Sequence, residues 1–78
     1  MIVKLHGIKN VTISGDHIKL DALLKFASIA STGGEAKFLI RSGDIYVNGE
    51  RCLSRGKKIR PGDTVRYEKS VLLIRNDS

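Results

Sequence analysis

Basic residues that could do chemistry occur in two groups along the chain. Lys37 and Arg41 lie four positions apart, so their side chains share one face if this segment is helical. A second group follows the dipeptide Asn48-Gly49 and consists of Arg51, Arg55, Lys57, Lys58 and Arg60. Repeated cations of this kind bind the phosphate groups of nucleic acids. The alternative is a set of solvated charges that face several directions, and the spacing leaves both interpretations open.

The overall charge favours a polyanionic partner. Lysine and arginine number 14 among the 78 residues, against 8 acidic residues, which gives a net charge of +6. On so small a body this excess attracts a nucleic acid or an anionic membrane surface, although an inert basic surface has the same composition. Residues 1–10 contain no apolar run long enough for a signal peptide or a membrane span. We therefore expect a cytoplasmic protein without a membrane partner.

Enzymatic and metal chemistry find little support. His6 and His17 are eleven positions apart, and no cysteine or carboxylate stands around them at the spacing of a zinc site. Cys52 is the only cysteine, which excludes an intrachain disulfide and fits a reducing cytoplasm. Arg51 stands beside it, but no histidine is placed to act as a base for the thiol. We therefore predict no catalytic residue, no metal, no cofactor and no small-molecule substrate.

Two phenylalanines lie off the apolar stripes of the predicted helices. Phe26 and Phe38 each have cations nearby in the sequence, and an exposed aromatic ring beside cations can stack on an unpaired base. A domain of this size needs every apolar side chain for its core. The sequence therefore favours burial of both rings beneath the amino-terminal strands.

The first helix is predicted over residues 20–28. Its apolar side chains recur at i, i+3, i+4 and i+7, which is the pattern of an amphipathic helix, at Leu20, Leu23, Leu24 and Ala27. Lys19 and Lys25 flank this stripe, so the helix adds two further cations to the basic surface.

The second helix is predicted over residues 32–42. Thr32 and Glu35 fit a capping box at its start, and Gly43 is a typical helix stop. Its predicted core positions are Ala36, Leu39 and Ile40. Lys37 and Arg41 then lie on a side that the core does not need.

Short β-prone segments surround the helices. Asn48-Gly49 is the strongest hairpin signal in the chain, and Pro61-Gly62 suits the two central positions of a turn. The predicted strands are residues 2–5, 11–13, 45–47, 50–53, 64–67 and 71–74. The predicted irregular segments are a turn at residues 7–10, a basic loop at residues 54–58 and a frayed tail at residues 75–78.

Several of these segments together resemble the S-four-type RNA-binding domain, which takes its name from a small-subunit ribosomal protein. The resemblance covers residues 18–65. Its distinctive parts are Leu20-Asp21, Glu35-Ala36-Lys37, Ile40-Arg41-Ser42-Gly43, Val47-Asn48-Gly49 and Pro61-Gly62-Asp63. The paired glycines at 33 and 34, the length, and the basic run at residues 55–58 are similar to the stand-alone YaaA/YbcJ-like branch of small bacterial proteins.

The resemblance implies an α+β fold of the alpha-L type, in which two short helices pack on a small, curved, mostly antiparallel β-sheet. It also implies that RNA lies across the helices and the hairpin. The basic positions that it carries over are Lys19, Lys37 and Arg41. Many family members have an arginine at the start of the second helix, where this chain has Gly33, so one expected contact is missing.

The functional expectation is a non-enzymatic bacterial protein in which residues 1–78 form a single RNA-binding domain. We expect a monomer that binds structured RNA, above all rRNA during ribosome assembly. The alternative is a protein-interaction module with weak RNA affinity, with a partner in replication, repair or the ribosome. The predicted RNA-binding residues are Lys19, Lys25, Lys37, Arg41, Arg51, Arg55, Lys57 and Lys58.

Overall fold

A computed structural model describes residues 7–77 of the protein. The helices are α1 (Leu20–Phe26) and α2 (Gly33–Arg41). The strands are β1 (Gly7–Ile13), β2 (Ile18–Lys19), β3 (Ile45–Val47), β4 (Glu50–Arg51), β5 (Lys58–Ile59), β6 (Thr64–Tyr67) and β7 (Ser70–Asn76). The predicted strand at residues 2–5 lies outside the described residues.

Five strands form one mixed sheet in the order β1-β7-β6-β3-β4. Strand β1 runs parallel to β7, and the remaining pairs are antiparallel. Strands β2 and β5 form a separate antiparallel ribbon. Together with the two helices this arrangement confirms the α+β class.

Both ends of the described region are more regular than the sequence predicted. Residues 7–10, expected as a turn, belong to β1 because they pair with β7 from Gly7 opposite Ser70 onwards. The tail is not frayed at residues 75 and 76, which end β7. There the Arg75 Nε donates a hydrogen bond to the Asn10 side chain at 3.1 Å, and the Asn76 side-chain Nδ2 donates one to the Gly15 carbonyl at 2.8 Å. The distant partner strand therefore orders residues whose local sequence is polar.

One hydrophobic core lies between the helices and the inner face of the sheet. The apolar stripe of α1 is buried as predicted, and Leu23 and Leu24 are inaccessible to solvent. In α2, Ala36 and Ile40 are buried, whereas Leu39 is half-buried at the margin. The sheet and the ribbon contribute Val11, Ile13, Ile45, Val47, Ile59, Val65, Leu72 and Ile74. This core fixes α2 by one side and leaves its opposite side to solvent.

Interactions between residues close in the sequence determine where α1 ends and where α2 begins. Helix α1 stops at Phe26 because Ser28 adopts a left-handed conformation (φ 63°) and the amides of Ile29 and Ala30 bond back to the Leu24 carbonyl. Helix α2 begins with the predicted cap, in which Thr32 Oγ1 accepts a hydrogen bond from the Glu35 amide at 3.0 Å. The Glu35 carboxylate reaches one residue further back than a capping box requires, to the Ser31 amide.

Asn48 ties the predicted hairpin to the predicted Pro61-Gly62 turn. Its left-handed backbone (φ 51°) and that of Gly49 (φ 86°) fit a type I′ hairpin turn. The Asn48 side chain accepts a hydrogen bond from the Thr64 amide at 2.9 Å and donates one to Asp63 at 3.1 Å. Two of the segments that carry the resemblance are thus joined by structural hydrogen bonds.

Candidate nucleic-acid interface

The side of α2 that faces away from the core carries the clearest cluster of candidate functional residues. Its members recur with helical periodicity and line one shallow concave surface, which we call the α2 outer face: Gly34, Lys37, Phe38, Arg41 and Ser42. Lys37 and Arg41 are exposed and share this face, as their spacing predicted. The face lies on the opposite side of the helix from Ala36 and Ile40, because the 3.6-residue repeat separates the two sets of positions.

The predicted burial of the two phenylalanines is wrong. Phe38 is 68% exposed and Phe26 is 61% exposed. Phe38 lies on the α2 outer face, whereas Phe26 stands beside β1 in a shallow depression that includes Lys9, Asn10 and Thr12. The turn of the helix places Phe38 opposite the core, and no described strand covers that side. The exposure of Phe38 could have been predicted from its position in the helix, three residues before Arg41 and next to Lys37.

A second group of cations gathers at the start of α1, and we call it the α1-start cluster: Lys19, Arg55, Lys57 and Lys58, all exposed. The loop before β5 docks on the helix, since the amides of Leu20 and Asp21 donate to the carbonyls of Lys57 and Arg55 at 2.9 and 3.1 Å. The β2–β5 ribbon places Lys19 directly opposite Lys58. Like charges at opposed positions destabilise a ribbon, so an anion bound there would relieve the repulsion.

A third group surrounds Tyr46 on the outer face of the sheet, and we call it the Tyr46 cluster: Tyr46, Arg51 and Arg66. Both arginines are register partners of Tyr46 on adjacent strands. Their guanidinium carbons lie 5.7 Å (Arg51) and 4.5 Å (Arg66) from the ring centroid, and Arg51 also donates to the Tyr46 hydroxyl at 3.2 Å. This hydrogen bond raises the pKa of Arg51. Arg66 was missed by the sequence analysis, although alternation along β6 places it on the outer face with Tyr46.

The predicted cations therefore belong to several different parts of the fold. Two lie on the α2 outer face, four in the α1-start cluster and one, Arg51, in the Tyr46 cluster. Lys25 is exposed in the last turn of α1. Within residues 7–77 the one ion pair joins His17 to Asp16 at 2.8 Å, and this contact lowers the pKa of the Asp16 carboxyl. Among the described residues, no carboxylate is in direct contact with any of the predicted cations.

The part of the chain that the structure describes offers few side chains for metal binding or for reactions of a thiol. Residues 7–77 hold no group of three histidine, cysteine or acidic side chains that could hold a metal ion. Cys52 is half-buried with a free thiol, and its Sγ lies 3.6 Å from the Ser54 carbonyl oxygen. Neither α1 nor α2 has the length and apolar character needed to cross a membrane, and no other helix occurs among residues 7–77.

The chain is similar to known proteins over most of its length. Residues 11–75 match the family model described as the S4 domain. The chain is 34% identical over 58 residues to the probable ribosome maturation protein RlbA of Bacillus subtilis, an alignment that covers 74% of this chain and 82% of that protein. It is 37% identical over 53 residues to the small ribosomal subunit protein uS4 of Novosphingobium aromaticivorans, which covers 68% of this chain and 26% of the longer relative.

Proposed function

The chain belongs to the S4 domain family, and from this membership we propose that it is a non-enzymatic protein that binds structured ribosomal RNA during ribosome assembly. One relative is named as a probable ribosome maturation protein and another as a small-subunit ribosomal protein. Both names support a ribosomal partner and a place in the cytoplasm. We further propose that the domain acts as a monomer.

The observation that carries this proposal is the α2 outer face. Lys37 and Arg41 project from a helix whose other side is anchored in the core by Ala36 and Ile40. A rigid helix with two cations at this spacing can contact neighbouring phosphates without rearranging the fold. Contacts to phosphate fix the position of an RNA more than they read its sequence. We therefore expect this face to bind many RNAs and to derive its selectivity from shape.

The α1-start cluster supports the same function. Its four cations belong to a helix start and a loop that backbone hydrogen bonds hold together. The juxtaposition of Lys19 and Lys58 concentrates positive charge at one spot. A surface with several such spots contacts several phosphates at once, and each contact adds to the salt dependence of binding.

The test is a salt titration of binding to an rRNA fragment for two charge-matched double variants. Lys37→Gln/Arg41→Gln removes both cations of the α2 outer face, and Lys9→Gln/Lys69→Gln removes two exposed cations elsewhere. We expect the first variant to bind more weakly and to flatten the slope of log affinity against log salt by roughly 1.5 units, because two phosphate contacts are lost. The control should lose much less.

Equal losses in the two double variants would attribute binding to net charge alone and would contradict a localised site. Crosslinking in cells, followed by sequencing of the bound RNA, identifies the natural target. Recovery of protein partners without RNA in the same experiment would favour the alternative, a protein-interaction module. An unchanged melting temperature in both variants is needed to assign the losses to binding.

A further inference from the structure

We propose that Phe38 is a stacking platform for an unpaired nucleobase, so that the α2 outer face binds RNA with a looped or single-stranded nucleotide in preference to a continuous duplex. This inference rests on the proposed RNA-binding function and names the class of RNA that the site takes. Its basis is the environment of the ring on the helix.

The ring of Phe38 is open to a ligand. It is 68% exposed although it belongs to a helix with a well-formed buried side. Helical side chains lean toward the turn that precedes them, so the ring covers the region of Gly34, four residues earlier. A Cβ atom at Gly34 would meet only Thr32 Oγ1, at 3.9 Å. The glycine therefore leaves room for a second flat group beside the ring.

The charges around Phe38 select the kind of group that fits there. Lys37 precedes it and Arg41 follows one turn later, and all three residues line the same concave surface. An aromatic ring between cations suits a nucleotide, whose base stacks while its phosphates contact the cations. The bases of a continuous duplex are already stacked on each other, so their faces are not free to stack on Phe38. Phe38 thus adds affinity for unpaired nucleotides only.

An anionic membrane surface fits this face less well. Helices that lie on membranes present a broad apolar face to the lipid. The apolar residues of α2 other than Phe38 are buried or half-buried against the core. One exposed ring makes too small an apolar area for that mode of binding, but it is enough for one base.

The experiment measures the affinity of the full chain for two RNAs with the same stem, a hairpin with an unpaired loop and a blunt duplex. The wild-type protein should prefer the hairpin. Phe38→Ala should weaken hairpin binding about 5- to 150-fold, the range for removing one base–aromatic stack, and should leave duplex binding nearly unchanged. Phe38→Trp, which keeps a stacking ring, should retain the preference for the hairpin.

Phe26→Ala is the matched control, because Phe26 is almost as exposed but does not line the α2 outer face. It should change neither affinity. A direct readout is the NMR signal of the Phe38 ring protons, which a stacked base shifts upfield when the hairpin is added. Melting temperatures of all the variants should stay close to the wild-type value, because both rings are largely outside the core.

Three outcomes would overturn the inference. The first is an equal loss of hairpin and duplex binding in Phe38→Ala, and the second is no loss at all. The third is Phe38-dependent binding to phosphatidylglycerol vesicles without Phe38-dependent binding to the hairpin, which would assign the ring to a membrane surface.

The failure of this inference can be distinguished from failure of the proposed function. If Lys37→Gln/Arg41→Gln weakens binding to both RNAs while Phe38→Ala weakens binding to neither, the RNA-binding function stands and the stacking role is wrong. If neither Phe38 nor the cation pair affects RNA binding, both proposals are wrong.

Discussion

The α2 outer face and the Tyr46 cluster are built from the same kinds of residue but differ in how those residues are held. Each contains one aromatic ring and two cations. In the Tyr46 cluster the ring is half-buried, and both guanidinium groups lie against it, Arg66 at 4.5 Å and Arg51 at 5.7 Å. On the α2 outer face the Phe38 ring is exposed, and the cations beside it take part in none of the ion pairs or ring contacts within residues 7–77.

The difference follows from the two kinds of backbone. Residues directly opposite each other on adjacent strands have side chains close enough for long or aromatic groups to touch, so Tyr46 contacts an arginine on each side. On a helix, neighbouring side chains diverge from the axis, and those opposite the core have only solvent around them. A sheet therefore tends to satisfy such residues internally, whereas an outward helix face keeps them available to a ligand.

The largest expected effect concerns the core that supports both regions. Leu24→Ala empties a fully buried site between α1 and the rest of the core, so we expect it to lower the free energy of unfolding by about 2–5 kcal/mol. Chemical denaturation measures this loss. Well below the denaturation midpoint, the variant should still bind RNA. A stability loss under about 1 kcal/mol would show that the interior relaxes around the cavity more than packed cores normally do.

The direct comparison of the two regions uses Arg41→Gln and Arg66→Gln, which remove one positive charge each. Arg41→Gln should reduce the salt slope of RNA binding by about 0.7–0.9 units, one phosphate contact, with little change in stability. Arg66→Gln should instead lower the free energy of unfolding by about 0.5–1 kcal/mol, because it removes a cation–π contact with Tyr46. Parallel salt titrations and thermal melts separate the two effects.

A reversed result, in which Arg66→Gln reduces RNA binding more than Arg41→Gln does, would make the outer face of the sheet the principal RNA surface. A result in which both variants reduce RNA binding equally would mean that stacking on Tyr46 leaves the guanidinium of Arg66 fully available to phosphate. In either case the distinction drawn between the two regions would be wrong.

The smallest expected effect is a gain from Gly33→Arg, which adds the basic residue that the family resemblance led us to expect at the start of α2. A Cβ atom at Gly33 has no neighbour within 4 Å, so the substitution fits. Replacing glycine favours the helix, and a cation at the helix start opposes it, so stability should change by less than about 1 kcal/mol. RNA affinity should rise modestly and the salt slope should steepen. Tighter binding with no change in slope would mean that the arginine contacts something other than phosphate.

The sequence by itself determined the local structure and the family. The apolar stripe from Leu20 to Ala27 and the cap at Thr32 predicted both helices, and Asn48-Gly49 predicted the hairpin. The four-residue spacing of Lys37 and Arg41 placed them on one exposed face. These features depend on neighbours within a few residues, where helical periodicity and turn conformation are strongly constrained.

The tertiary structure alone decided which residues meet across the chain. Residues 7–10 form a strand only because β7 lies beside them, and Lys19 stands opposite Lys58 only because the loop before β5 docks on α1. The exposure of Phe38 was decided in the same way, since an apolar ring is buried only if another element covers it. Pairing and covering depend on contacts between segments far apart in the sequence, and local patterns carry no information about which segments those are.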